Sequence, residues 1–236
     1  MKMNVLNRVA LLFLCVILIS WAFPDKTKIF LIGDSISVQY WPYLREYMAS
    51  WADMERKKDD GQAEQNLDVP TGANGGDSRM VLAYLRARFK DASFQPDYLL
   101  LNCGLHDIKH DPITDIIQVE ADDYRKNLNA IFTLLREKKV KPIWIRTTWV
   151  VDSIHNSKSS SIKRYAVDVD EYNGIADEVC KEYDIPSIDL YEFSKKLGIE
   201  HVIDHVHYDQ STRTLQAAYI TGFVQHILTG KSASGL

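Results

Sequence analysis

The chain has 236 residues, 46% of them hydrophobic and 25% charged, with a formal net charge of −4. That length buries a full core as one domain without disulfide or metal staples. The mild acidity offers none of the basic excess that a nucleic-acid binder carries, so no nucleic-acid partner is expected.

The chain begins with "MKMNVLNRVALLFLCVILISWAF", in which Lys2 and Arg8 precede an uncharged apolar run from Val9 to Phe23. At about 15 residues that run falls short of the roughly 20 that span a bilayer. Ser20 and Ala22 supply a small-x-small cleavage site. Residues 1–22 are therefore expected to be a signal peptide, with an uncleaved anchor as the alternative, and residues 23–236 the working domain. The expected location is exported: periplasmic, cell-surface or secreted, with no membrane contact beyond the signal segment. Cys15 has bulky neighbours and makes a poor lipoprotein signal. Cys103 and Cys180 remain, too few for a disulfide framework, and are expected as buried free thiols.

Beyond the signal, "KIFLIGD" (28–34) reads as a strand ending in a tight turn, followed by helical spacing over Tyr43–Trp51. The charged stretch 54–65 reads as a surface loop and "NLDVP" (66–70) as a weak short strand. A helix is expected over Ser78–Lys90, a strand at 97–104, a helix over Glu120–Lys138 and a strand at 141–148. The polar stretch 152–164 reads as a second surface loop. A helix over Asp168–Tyr183, a strand at 185–190 and a last helix over Thr212–Leu228 complete the chain. Near-continuous apolar strands alternating with amphipathic helices predict an α/β fold of three layers around a parallel sheet of about five strands. Ligands in such folds bind beyond the carboxyl ends of the strands.

The residues able to do chemistry fall at those ends. Gly33-Asp34-Ser35 follows the first strand, Gly75-Gly76-Asp77-Ser78 opens a helix, Gly104-Leu105-His106-Asp107 follows a strand, and Asp204-His205-Val206-His207 precedes the last helix. A serine hydroxyl needs a base to take its proton, and that base needs a third group to fix its tautomer. Asp204 and His207, three apart, fit one side of a turn, leaving the second imidazole nitrogen for Ser35. The backbone N–H groups of Ser35 and Gly76 are candidate oxyanion donors.

The order of a GDS block, a glycine block, GxxD and a late DxxH resembles the SGNH (GDSL-type) hydrolase family over about residues 27–228. The resemblance implies a flavodoxin-like fold and a serine esterase with no cofactor and no metal. It assigns the triad to Ser35, Asp204 and His207, and the oxyanion hole to Ser35, Gly76 and an asparagine side chain. Two residues depart from the pattern. His106 stands where that asparagine belongs, and Tyr208 follows the catalytic histidine where proline is common. A neutral imidazole still donates one N–H, which makes His106 the candidate third donor and Asn102 its possible substitute. No GxSxG elbow occurs, which argues against the α/β-hydrolase fold.

Two other function classes stay open. His106 and His110 have the spacing of helix-borne zinc ligands, with His201, His205 and His207 as further donors, although Gly104 and Pro112 leave barely one helical turn. A binding protein of the same fold with weakened catalysis is the other. The leading expectation is an exported serine esterase acting on a small-molecule or polysaccharide ester, foremost O-acetyl groups on carbohydrate.

Overall fold

The computed structural model describes residues 26–230, so the expected signal segment lies outside the described residues. Five strands form one parallel sheet: β1 (Thr27–Ile32), β2 (Ala52–Arg56), β3 (Tyr98–Leu101), β4 (Lys141–Ile145) and β5 (Ser187–Ile188). Their spatial order is β2-β1-β3-β4-β5, the flavodoxin-like order. Register runs Leu31 to Leu100 and Leu100 to Ile143, a row of side chains buried between the helical layers.

The helices are α1 (Ser35–Met48), α2 (Gln62–Gln65), α3 (Ser78–Arg88), α4 (Ala121–Glu137), α5 (Asp152–Lys158), α6 (Ala166–Glu182), α7 (Leu190–Leu197) and α8 (Gln210–Thr229). In α4 the stripe Tyr124, Leu128, Ile131, Phe132 and Leu135 is buried, the helix-spaced face that drives it onto the sheet. On the other layer α8 packs along α1. Cys103 and Cys180 are buried free thiols.

Three expectations are corrected. Helix α1 begins at Ser35, not Tyr43, and carries Pro42 inside it. Proline there removes one backbone donor, but the Asp34 side chain caps the first turn and buried Ile36, Val38, Tyr40 and Trp41 fix the helix to the core. The second strand is Ala52–Arg56, not 66–70, and overlaps the stretch read as a loop. Its burial alternates from Ala52 outward, and charged outward residues suit an edge strand. Third, the supposed surface loop 152–164 contains α5 and buries both His155 and Arg164.

Candidate active site

β1 and β3 are neighbours, and the chain leaves them in opposite directions, so their carboxyl ends make the switch point where ligands bind in this fold. Ser35 sits at the first position of α1 and is 4% exposed. Its N–H lies ahead of the intrahelical ladder. The Asp34 carboxylate accepts the Ile36 N–H at 2.9 Å. Burial pushes the Asp34 carboxyl above its usual range, against the bonds it accepts.

The 204–207 turn brings the second element. Asp204 Oδ1 accepts the N–H groups of Val206 and His207, both at 2.8 Å, while Oδ2 accepts from His207 Nδ1 at 2.7 Å. One aspartate thus shapes the turn and aims the ring. Burial works to raise its carboxyl, but the His207 bond and the backbone N–H groups outweigh it and hold the group well below the usual range. A carboxylate only accepts, so the Nδ1 proton points at Asp204 and the Nε2 lone pair is left for the Ser35 hydroxyl, 2.8 Å away. The arrangement is able to draw a proton from Ser35 onto an imidazole whose other side faces a fixed negative charge.

Two glycine turns follow the neighbouring strand ends. Gly76 has φ +74°, and a Cβ there would meet Met80 Sδ at 2.6 Å and Pro70 Cβ at 2.9 Å. Its N–H donates to Asn74 Oδ1 at 3.0 Å. Gly104 has φ +155°, and a Cβ would lie 2.2 Å from Thr147 Oγ1. The 104–107 turn is pinned to the start of α3 by Asp107, whose two carboxylate oxygens accept the Ser78 N–H at 2.9 and 3.1 Å. Burial pushes Asp107 up to about 7.

His106 is 1% exposed, and its Nδ1 is buried without a partner. Burial, with the charges of Lys109 and Arg164, holds its pKa well below 6.5, so the ring is neutral. An orphaned buried N–H is rarer than an unfilled acceptor, which favours the proton on Nε2. Asn102 is turned away: its amide donates to Ile145 O at 2.9 Å and Thr147 Oγ1 at 3.3 Å. Asn102 is therefore not placed as the substitute donor.

The residues of the zinc alternative are spread out and engaged. His110 bonds Asp115 O and Asp168 Oδ2, both at 2.9 Å, and His201 Nδ1 bonds Asp209 at 2.8 Å. From His106 to His110 the chain is a turn that ends at an isolated bridge on His110, not a helix. Among the described residues Asp204, His205 and His207 do gather ligand atoms within 4.8 Å, but two of these three are the pair hydrogen-bonded above. His205 Nε2 meets Asp68 at 3.1 Å, and that bond is the main reason the Asp68 carboxyl falls to about 2. Tyr208 is a core residue, 1% exposed.

Sequence reasoning missed Arg164, His155 and Lys109. Arg164 Nε donates to Leu105 O at 2.6 Å and Nη1 to His155 Nε2 at 2.7 Å; Lys109 Nζ donates to Asp68 O at 2.9 Å. Burial lowers Arg164 to about 10, Lys109 to about 8 and His155 to about 4. All three lie in polar stretches whose composition carries no sign of burial.

Several solved structures share this fold. The lipase/acylhydrolase from Enterococcus faecalis is 20% identical, covering 88% of this chain and 100% of its own, with a TM-score of 0.60. The acetyl xylan esterase AlAXEase is 17% identical, covering 84% and 99%, with a TM-score of 0.61. The psychrotrophic esterase EstA from Pseudoalteromonas sp. is 11% identical, covering 86% and 100%, with a TM-score of 0.60. No curated protein matches the chain. The profile of the GDSL-like Lipase/Acylhydrolase family matches residues 31–210, from the end of β1 to the start of α8, and the chain belongs to that family of ester-hydrolysing enzymes.

Proposed function

We propose that the protein is a serine esterase in which Ser35 is the nucleophile, His207 the general base and acid, and Asp204 the group that orients and charges His207. The observation that carries this is the continuous hydrogen-bonded line from Asp204 Oδ2 through His207 to Ser35 Oγ, at 2.7 and 2.8 Å.

Ser35 Oγ attacks the ester carbonyl carbon as its proton passes to His207 Nε2. The carbonyl π electrons move onto oxygen, giving a tetrahedral oxyanion. Collapse breaks the bond to the alcohol oxygen, which leaves with the proton from His207, and the acyl group stays on Ser35. Water then attacks the acyl-enzyme, giving its proton to His207, and the second collapse returns that proton to Ser35 and releases the acid. The oxyanion meets the Ser35 N–H, the Gly76 N–H shared with Asn74 Oδ1, and the His106 Nε2–H. Donors that need little reorganisation as charge develops carry the rate advantage, and the Gly76 N–H would have to turn part of its bond from Asn74 Oδ1 to the oxyanion.

The preferred substrate is a short acyl ester, foremost an acetyl group on carbohydrate. Ser35, His106 and His207 are 4%, 1% and 2% exposed, which suits a small acyl group better than a long chain. A structural neighbour that is an acetyl xylan esterase agrees with that class. Export on the N-terminal segment would place the enzyme with extracellular polysaccharide. N-terminal sequencing of material from the native host should begin near Phe23; Met1 retained on membrane-bound protein would support the anchor instead.

Aryl acetate hydrolysis by the purified protein tests the chemistry. Turnover should disappear with a serine-reactive phosphonate and persist with a chelator. Loss with the chelator and survival with the phosphonate would point to metal-dependent hydrolysis, and no turnover at all to a binding protein.

A further inference from the structure

The segment 152–164 is wired into both loops of the Ser35 site. Arg164 is 2% exposed, and its two hydrogen-bond acceptors are the Leu105 carbonyl at 2.6 Å and the His155 ring at 2.7 Å. His155, fully buried on α5, donates from Nδ1 to Asn156 Oδ1 at 3.1 Å, so its Nε2 is the acceptor. Asn156 also fixes the Arg164 backbone on both sides, each bond 3.0 Å long. Edge-on ring contacts then run from His155 to His205 and from His205 to His207, with centroids 4.8 and 5.4 Å apart. Lys158, at the end of α5, donates to the Asp204 carbonyl at 3.0 Å.

Both acceptors are neutral, and although the carboxylates of Asp68, Asp34 and Asp204 favour the cation through space, burial outweighs them, so the guanidinium is a poor way to stabilise a fold. Its position gives it another use. The carbonyl it holds belongs to the peptide whose nitrogen is His106, and a fork with fixed geometry constrains that peptide more tightly than a single-point ammonium could. The same charge lies close enough to His106 to disfavour a second proton on the ring, after burial and the charge of Lys109.

We propose that Arg164, braced by His155, is a positioning residue of the Ser35 site: it fixes the Leu105–His106 peptide so that the imidazole faces the oxyanion, while α5 clamps the 204–207 turn. This rests on the reading of His106 as an oxyanion donor. It makes the stretch 152–164 a part that tunes turnover without touching substrate.

The test compares aryl acetate kinetics of the full chain with those of Arg164→Lys, His155→Phe and His155→Gln. Arg164→Lys keeps the charge and loses the fork, and kcat should fall at least ~10-fold, because small misplacements of a donor are costly. KM should stay within about twofold, since the lost interaction acts in the transition state. His155→Phe should fall similarly, and His155→Gln, whose amide oxygen still accepts, should recover most of kcat. Full kcat in folded Arg164→Lys, or a loss carried by KM alone, overturns the proposal. Should the variants not fold, nitrogen NMR of the wild-type imidazoles decides: His106 should still be neutral, with its proton on Nε2, at the pH where an ordinary histidine is half-protonated. Titration of His106 near the ordinary histidine value, or a proton on Nδ1, overturns it. Ser35→Ala separates the two layers: turnover surviving there defeats the serine mechanism itself, whereas a dead Ser35→Ala beside a fully active Arg164→Lys defeats only the positioning role.

Discussion

His205 and His207 lie two residues apart on one turn, each facing an aspartate, yet their surroundings differ in the feature that matters for chemistry. His207 is engaged on both nitrogens, with Asp204 at 2.7 Å and Ser35 Oγ at 2.8 Å. His205 meets Asp68 at 3.1 Å through Nε2, and its Nδ1 is buried with no partner. The Asp68 pair ties the 66–70 loop to the 204–207 turn, while the Asp204 pair ends on a hydroxyl that can react. An acid–imidazole pair is therefore insufficient evidence of a catalytic base; what the second nitrogen faces decides.

The largest expected effects lie on the Ser35 side of that comparison. Ser35→Ala and His207→Ala should each lower kcat on aryl acetate by on the order of 10⁴–10⁶-fold. Asp204→Asn should cost on the order of 10⁴-fold, because an amide facing Nδ1 selects the wrong tautomer. Next comes the oxyanion. His106→Ala should reduce kcat by about 10²-fold with little change in KM, and His106→Asn should recover much of that loss. Near-full turnover in folded His106→Ala would remove the third donor from the account. His205→Ala should cost less than about 10-fold, an indirect effect of loosening the turn rather than loss of a base. A dead His205→Ala with an active His207→Ala would reverse the comparison.

The smallest effect is one of stability. Burial, chiefly, lowers His155 to about 4 and places His106 well below 6.5. Both rings are neutral in the fold and take up protons on unfolding. Their contribution is fully present above the unfolded value near 6.5 and is lost as pH falls toward the folded values, because the unfolded chain then binds more protons. Asp107, held up to about 7 by burial, takes up its proton in the fold over the same range and opposes that loss, so the difference between variants is the readout: from about pH 7 to about pH 5 the urea midpoint of His155→Gln should change less unfavourably than that of the wild type.

Four strands were legible: burial on both faces writes an apolar run at Ile29–Ile32, Leu99–Leu101 and Ile143–Ile145, and the short run at 185–190 holds β5 around buried Ile188. β2 was not, because an edge strand needs only alternate burial and Ala52–Arg56 spends its other positions on charge. The start of α1 lies well ahead of the expected Tyr43, because the Asp34 cap and buried Ile36, Val38 and Tyr40 begin the helix before Pro42. In the site, Ser35, Asp204 and His207 could be picked from motif spacing. The commitment of Asn102 to β4 and of the Gly76 N–H to Asn74 could not, since both depend on partners distant in sequence or on local turn geometry. Arg164 and His155 were missed for a related reason. A buried polar network has the composition of a loop, and only packing distinguishes them.

Trapping the covalent intermediate tests the central claim most directly. A serine-reactive phosphonate, followed by peptide mass spectrometry, should place a single adduct on Ser35 in the wild-type protein. The adduct should form far more slowly in folded His207→Ala and at a near-normal rate in His205→Ala. An adduct on any other residue, or labelling of Ser35 as fast without His207 as with it, would contradict the account.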